Sequence, residues 1–310
     1  MTTRRDLMVG AASAAALVAP FAGFTVAAQE SGAPILRFGA IADPQYAPVP
    51  PRRTRYYGNS LWKLDAAIAE LNKAELQFCV TLGDIIDRHW ESYGHILPIY
   101  DRLGHDHFFL LGNHDYEVGA DYLGAVHRTT GLKRPYYDFT GAGHRFVVLD
   151  GNDVSLFANA PGTDKHRLAR ETLDRLTREG AANAKPWNGG MSAEQQTWLR
   201  TTLDDAKAKR ERVILLGHYP LFPANEHNMW GWQELVEQLA SYDNVLAYFC
   251  GHNHAGNQGE RGGIHFVNLK GMVETPDTTA FSILEVRPDR IDIRGFGREE
   301  SRSLKLKASA

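Results

Sequence analysis

Short apolar runs recur along the chain, and most of them end in a polar cluster. Runs with strand character cover Ile35 to Ile41, Gln77 to Thr81, His107 to Leu111, His144 to Leu149, Arg212 to Leu216, Val245 to Cys250, His265 to Leu269 and Phe281 to Val286. Helical periodicity lies between several of them, at Tyr57 to Ala74, Tyr93 to Leu103, Ser192 to Lys209 and Trp232 to Ser241. In the first of these, Leu61, Leu64, Ile68 and Leu71 repeat at a spacing that builds one buried stripe. Ser192 with Gln195 matches a capping box at the start of the third helix. Strands alternating with helices predict an α/β layered domain. Asn152 to Gly190 is the one long irregular stretch, charged and then Gly-rich at Asn188-Gly189-Gly190. It reads equally as a lid over a site and as a solvated connection.

Residues 1–28 read as an address rather than as structure. Arg4-Arg5 precede an Ala- and Gly-rich apolar run from Val9 to Ala28, and Val26-Ala27-Ala28 offers small residues for cleavage. This resembles a twin-arginine signal, so export to the bacterial periplasm is expected, with no membrane span once the signal is removed. Kept in place, the same run is nearly long enough to anchor the chain. The catalytic domain is then expected over residues 33–300, with 301–310 as a tail.

Composition narrows the picture in two ways. A net charge of -3 supplies no basic surplus for a nucleic-acid partner. Cys79 and Cys250 both lie inside apolar runs, which predicts buried free thiols rather than a disulfide.

The chemistry gathers at the ends of predicted strands. Asp43-Pro44-Gln45 follows the first strand, Gly83-Asp84-Ile85-Ile86-Asp87 the second and Gly112-Asn113-His114-Asp115 the third. Gly217-His218 follows the fifth, and Gly251-His252-Asn253-His254 the sixth. Ligand crevices of open α/β sheets form beyond the carboxyl ends of strands, so these loops can converge on one site. Carboxylate, amide and imidazole together suit Mn, Fe or Zn, and the lack of thiolate ligands argues against a structural zinc. A carboxylate such as Asp84 can bridge two cations of a hydrolytic centre. The remaining histidines, His227 among them, are expected to be ordinary core or surface residues.

The ordered set D-x-[HQ], G-D-x-x-D, G-N-H-[DE], G-H and G-H-x-H resembles the calcineurin-like metallophosphoesterases. That resemblance implies a four-layer α/β sandwich of two mixed β-sheets flanked by helices. It implies Asp43, Gln45, Asp84 and His254 as ligands of one divalent metal ion, and Asp84, Asn113, His218 and His252 as ligands of a second. It also implies His114 as the group that contacts phosphate and assists the leaving oxygen, oriented by Asp87. Attack would come from a hydroxide shared by the two metals. Gln45 stands where histidine is commoner, and its amide oxygen tilts the preference towards Mn²⁺ or Mg²⁺ and away from Fe or Zn.

A narrower likeness, to the manganese-dependent ADP-ribose/CDP-alcohol diphosphatases, rests on further segments. These are Asp43-Pro44-Gln45-Tyr46, Arg55-Tyr56-Tyr57, Trp187-Asn188-Gly189-Gly190, His218-Tyr219-Pro220, Glu274-Thr275 and Gly295-Phe296-Gly297-Arg298. It implies hydrolysis of the pyrophosphate in a small-molecule nucleotide conjugate. Arg55, Tyr56 and Asn188 become candidate substrate contacts, and Trp187 and Trp230 are either base-stacking surfaces or core. Asp115 departs from the glutamate usual in that family, and Tyr219 from a common leucine. Two alternatives stay open: a phosphomonoesterase or cyclic nucleotide phosphodiesterase with the same metals, and a non-catalytic metal- or ligand-binding protein.

Overall fold

Every apolar run becomes a strand of one of two mixed sheets in the computed structural model, which describes residues 33–307. The expectations for residues 1–28 therefore lie outside the described residues. The strands are β1 (Leu36–Ile41), β2 (Phe78–Leu82), β3 (His107–Leu110), β4 (Tyr137–Gly141), β5 (His144–Val148), β6 (Arg212–Leu216), β7 (Val245–Cys250), β8 (Asn257–Arg261), β9 (Ile264–Asn268), β10 (Ala280–Val286), β11 (Arg290–Gly297) and β12 (Arg302–Lys305). The helices are α1 (Ser60–Leu71), α2 (Glu91–Tyr100), α3 (Val126–Thr129), α4 (Asp164–Arg178), α5 (Ala193–Ala208) and α6 (Trp232–Ala240).

One sheet has the order β12-β11-β10-β1-β2-β3, the other β4-β5-β6-β7-β9-β8. Side-chain alternation explains how they pack. Phe38 and Ala40 of β1, Phe78 and Val80 of β2, and Ile214 and Leu216 of β6 point between the sheets. Cys79 of β2 points the other way, into a core shared with Leu64 and Ile68 of α1 and Ile96 of α2. Val213 and Leu215 of β6 likewise meet Leu199 and Leu203 of α5 and Leu235 of α6. The layers run helix, sheet, sheet, helix, and central strands buried on both faces read as unbroken apolar runs. Both cysteines are free and buried. Among the described residues no helix is long and apolar enough to cross a membrane.

Several boundaries differ from expectation. Helix α1 begins at Ser60, because Tyr57–Asn59 is a 3-10 turn. Ser192 caps α5 by accepting from the Gln195 amide at 3.3 Å, but the Gln195 side chain does not return to Ser192 as a capping box requires. It accepts instead from the Asp150 amide at 2.9 Å and ties α5 to the loop after β5. The stretch Asn152 to Gly190 is not wholly irregular: it contains α4, capped by Thr163, whose narrow stripe of Ala169, Leu173 and Leu176 packs near Trp230. Residues 301–310 were expected as a tail, yet Arg302–Lys305 pairs antiparallel with β11. Leu304 and Leu306 supply the reason, since both are buried in the core between the sheets.

Candidate active site

Five polar clusters meet at one edge of the two sheets. Strands β1, β2 and β3 are parallel neighbours, as are β6 and β7 in the other sheet, so the loops that follow them leave at the same ends. Glycine permits the loops to touch across the sheets. A Cβ on Gly112 would lie 2.1 Å from Asp84 Oδ1 and 2.6 Å from His218 Cε1, and one on Gly251 would lie 2.6 Å from Asp43 Oδ2. Asp43, Gln45, Asp84 and His252 all hold left-handed backbone conformations, with φ of 49°, 49°, 50° and 69°. Non-glycine residues rarely adopt that region, and its clustering on four candidate ligands marks strain held for a purpose.

The candidate ligands form two groups that share Asp84. Ligand atoms of Asp84, His218 and His252 lie within 4.8 Å of one another, and so do those of Asp43, Asp84 and His254. Each histidine has one ring nitrogen engaged by a fixed acceptor, which leaves the other for the site. His218 Nδ1 meets the Leu82 carbonyl at 2.8 Å, and its Nε2 lies 3.4 Å from Asp84 Oδ2. His254 Nδ1 meets Glu274 Oε1 at 2.8 Å, and its Nε2 lies 3.8 Å from Asp43 Oδ1. His252 Nε2 meets Asn188 Oδ1 at 3.0 Å, which frees Nδ1. Asn113 Oδ1 sits 3.2 Å from His218 Nε2.

The donor set fits divalent cations. Gln45 Oε1 is buried with no hydrogen-bond partner, while its amide nitrogen donates to Asp84 Oδ2 at 3.4 Å. An orphaned buried amide oxygen costs free energy that a cation would recover. Burial pushes the Asp43 carboxyl above its usual range, with His254 and His218 opposing. Burial acts the same way on Asp84, but His218 and then His114 outweigh it and hold that carboxyl well below the usual range. On His218, burial is overcome by Asp84, and the imidazole rises to about 9. Burial and the neighbouring His218 push His252 well below its ordinary value.

His114 reaches the site from the loop after β3. Its amide donates to Asp84 Oδ1 at 2.9 Å, and its Nδ1 lies 3.3 Å from Asp87 Oδ1 and 3.1 Å from Glu117 Oε1. Burial opposes a charge there, yet Asp84, Glu117 and Asp87 together hold the imidazole up at about 9. Asp87 is fully buried, and its second oxygen pairs with the Arg88 guanidinium.

A cleft of about 420 Å³ opens over these groups, lined by Arg53, Arg55, Asp84, Asn113, His114, Glu117, Trp187, His227, His252 and His254. A second lobe of about 390 Å³ shares Arg53, Arg55 and His227 and adds Tyr57 and Glu274. Of the candidate substrate contacts, Arg55 lines both lobes. Tyr56 lines neither; its amide donates to the Val273 carbonyl at 2.9 Å. Asn188 is fully buried, and its amide nitrogen bonds the Asn183 and Glu226 carbonyls, so its side chain serves His252 rather than the cleft. Trp187 is 40% exposed on the cleft wall, whereas Trp230 is buried and donates to the Asn183 carbonyl at 3.1 Å. His227, expected as an ordinary histidine, stands in the cleft with its ring 5.3 Å from His252. Arg53, Glu117 and His227 were missed, and only the basic run Arg52-Arg53-Thr54-Arg55 offered a signal.

Comparison with known proteins places the chain in a family. Residues 36–256 match the family model described as calcineurin-like phosphoesterase. A rice protein named manganese-dependent ADP-ribose/CDP-alcohol diphosphatase is 32% identical, with 84% of this chain and 91% of that protein covered. A human protein of the same name is 29% identical, with 91% and 96% covered. The crystal structure of a dimetal phosphatase from Danio rerio superposes with a TM-score of 0.80 at 26% identity, over 88% of this chain and 100% of that one. The chain belongs to the calcineurin-like phosphoesterase family and is a metal-dependent hydrolase.

Proposed function

We propose that the chain hydrolyses the pyrophosphate bond of nucleoside diphosphate conjugates, of the class that includes ADP-ribose and CDP-alcohols, with two divalent ions and a preference for Mn²⁺. One observation carries the reading: two ligand groups sharing Asp84 form the floor of a cleft whose walls hold Arg53, Arg55 and the exposed ring of Trp187. The names of the rice and human relatives point to the same substrates.

Asp43, Gln45, Asp84 and His254 would hold one ion, and Asp84, Asn113, His218 and His252 the other. Bound divalent ions would neutralise phosphoryl charge and bring the pKa of a water towards neutral. The chain's own groups do the rest. His114, kept protonated by its acidic neighbours, donates a proton to the departing phosphate oxygen, while Asp87 and Glu117 hold its Nδ1. Arg53 and Arg55 pair with the second phosphoryl group, and Trp187 offers a face to the base. Addition of water across the pyrophosphate of ADP-ribose gives AMP and ribose 5-phosphate; a CDP-alcohol gives CMP and a phosphoalcohol. Residues 1–28 carry the companion proposal, export to the periplasm by the twin-arginine route.

The test is a substrate panel with Mn²⁺: ADP-ribose, CDP-choline, cyclic AMP and p-nitrophenyl phosphate. Preference for the first two by kcat/KM is expected. Preference for either of the last two would replace the reading with a phosphodiesterase or phosphomonoesterase, and bound metal with no turnover would make the chain a binding protein. Fractionation of cells expressing the full chain and an Arg4→Lys/Arg5→Lys variant tests export, which only the unaltered pair should support.

A further inference from the structure

Lys63 lies on α1 and is fully buried, the one lysine in the buried set among the described residues. Its Nζ donates to carbonyls of four consecutive residues: Met272 at 3.1 Å, Val273 at 3.4 Å, Glu274 at 2.8 Å and Thr275 at 2.5 Å. An ammonium has three protons, so the four acceptors share them. Burying an ammonium is costly, and an aliphatic side chain would fill the same space at less expense. Packing alone does not account for this residue.

The segment it grips explains it better. Residues 272–275 turn their carbonyls towards Lys63 and other groups towards the site. The Met272 amide donates to the Ala42 carbonyl at 2.9 Å, and the Val273 amide to the carbonyl of Asp43 itself at 3.0 Å. The Glu274 carboxylate receives His254 Nδ1 at 2.8 Å. Just before it, the Gly271 amide donates to the His254 carbonyl at 3.2 Å. Thr275 holds a left-handed backbone with φ of 65°, a conformation that needs an external restraint. The strap thus joins Lys63 on one side to Asp43 and His254 on the other.

We propose that Lys63 is a positioning residue for the metal site, clamping the 272–275 strap so that Glu274 aims His254 and the strap backbone fixes Asp43. The inference rests on the reading of Asp43 and His254 as ligands. It assigns Lys63 to one side of the centre only. Among the described residues, no hydrogen bond joins Asn113, His218 or His252 to the strap.

Mn²⁺ binding to the metal-stripped full chain, followed by calorimetry and by the metal content of dialysed protein, tests this without relying on turnover. Lys63→Met is expected to keep native circular dichroism, to weaken one Mn²⁺ about 10-fold or more and to leave the other unchanged. Glu274→Gln should weaken the same ion. The double variant should be no worse than the weaker single, because both changes break one relay. Unchanged affinity for both ions in Lys63→Met, or independent losses that add in the double variant, overturns the proposal. Should Lys63→Met fail to fold, Lys63→Gln retains an N–H donor and carries the same comparison. A wild-type chain that binds no Mn²⁺ sinks the functional reading and this one together; a wild-type chain that binds two, beside a Lys63 variant that matches it, sinks this one alone.

Discussion

The Tyr219 hydroxyl donates to Asn152 Oδ1 at 2.7 Å, and Asn152 in turn donates to the Leu111 carbonyl at 2.7 Å. Tyr219 follows the candidate ligand His218, and its ring lies 4.6 Å from that of His252. One buried phenol therefore connects the loops after β3, β5 and β6. Removing only the hydroxyl leaves Asn152 Oδ1 short of a donor at a buried position. Tyr219→Phe should lose about 1–3 kcal/mol of stability by urea denaturation, with metal content unchanged. Tyr219→Leu should lose more, since it also leaves a void beside His252.

His114 and Asp84 should fail differently. His114→Ala removes a proton donor but no ligand, so kcat should fall about 10²–10⁴-fold while bound metal stays at the wild-type level. Asp84→Asn weakens the one carboxylate common to both ligand groups, so metal and turnover should disappear together. Rates near wild type in either purified variant would refute the roles given to these residues.

How much of this could be read from the chain depends on what set each residue's position. Asp43, Asp84, Asn113, His218 and His252 sit where a strand ends, and strand ends follow from apolar periodicity. The central strands were visible for the same reason. Strand β8 was not, because Asn257–Arg261 is an edge strand with no apolar residue to mark it. Strand β12 offered too short an alternation, and α4 hid its narrow stripe among charges. Arg53, Glu117 and His227 come from loops whose approach to the site is decided by tertiary packing. Helix α1 shows the limit most sharply: Trp62 is 46% exposed while Lys63 beside it is buried. Hydrophobicity assigns the two the other way round, and only the ring of strap carbonyls reverses the order.

Trp187 offers a test of substrate class. Its ring is exposed on the cleft wall, with Lys185 Nζ 5.6 Å from the centroid on one face. Base stacking on such a surface contributes about 1–3 kcal/mol. Trp187→Ala should therefore raise KM for ADP-ribose and CDP-choline by about 5- to 150-fold, with little change for glycerol phosphate, which has no ring to stack. An equal rise for all three substrates would mean that Trp187 shapes the cleft without recognising the base.

Asp150 gives stability a pH dependence of known sign. Its carboxyl is buried, and burial with the nearby charge of Asp153 pushes it up to about 7, although the Asn152 amide and Lys165 pull the other way. Lys165 pairs with Asp153, so the charges facing Asp150 largely cancel one another. A raised pKa means that the folded chain keeps a proton that the unfolded chain releases above its ordinary value near 4. The stabilising contribution of that proton is complete below pH 4 and is lost as pH rises to 7. Asp150→Asn keeps an acceptor for the Asn152 amide, which Asp150 Oδ1 receives at 2.9 Å, and removes the titration. The variant should gain stability relative to wild type by at most about 1.4 kcal/mol per pH unit between pH 4 and 7. The advantage should level off above pH 7. Urea denaturation of both proteins across that range is the measurement, and parallel stability curves would show that Asp150 is charged in the folded state throughout.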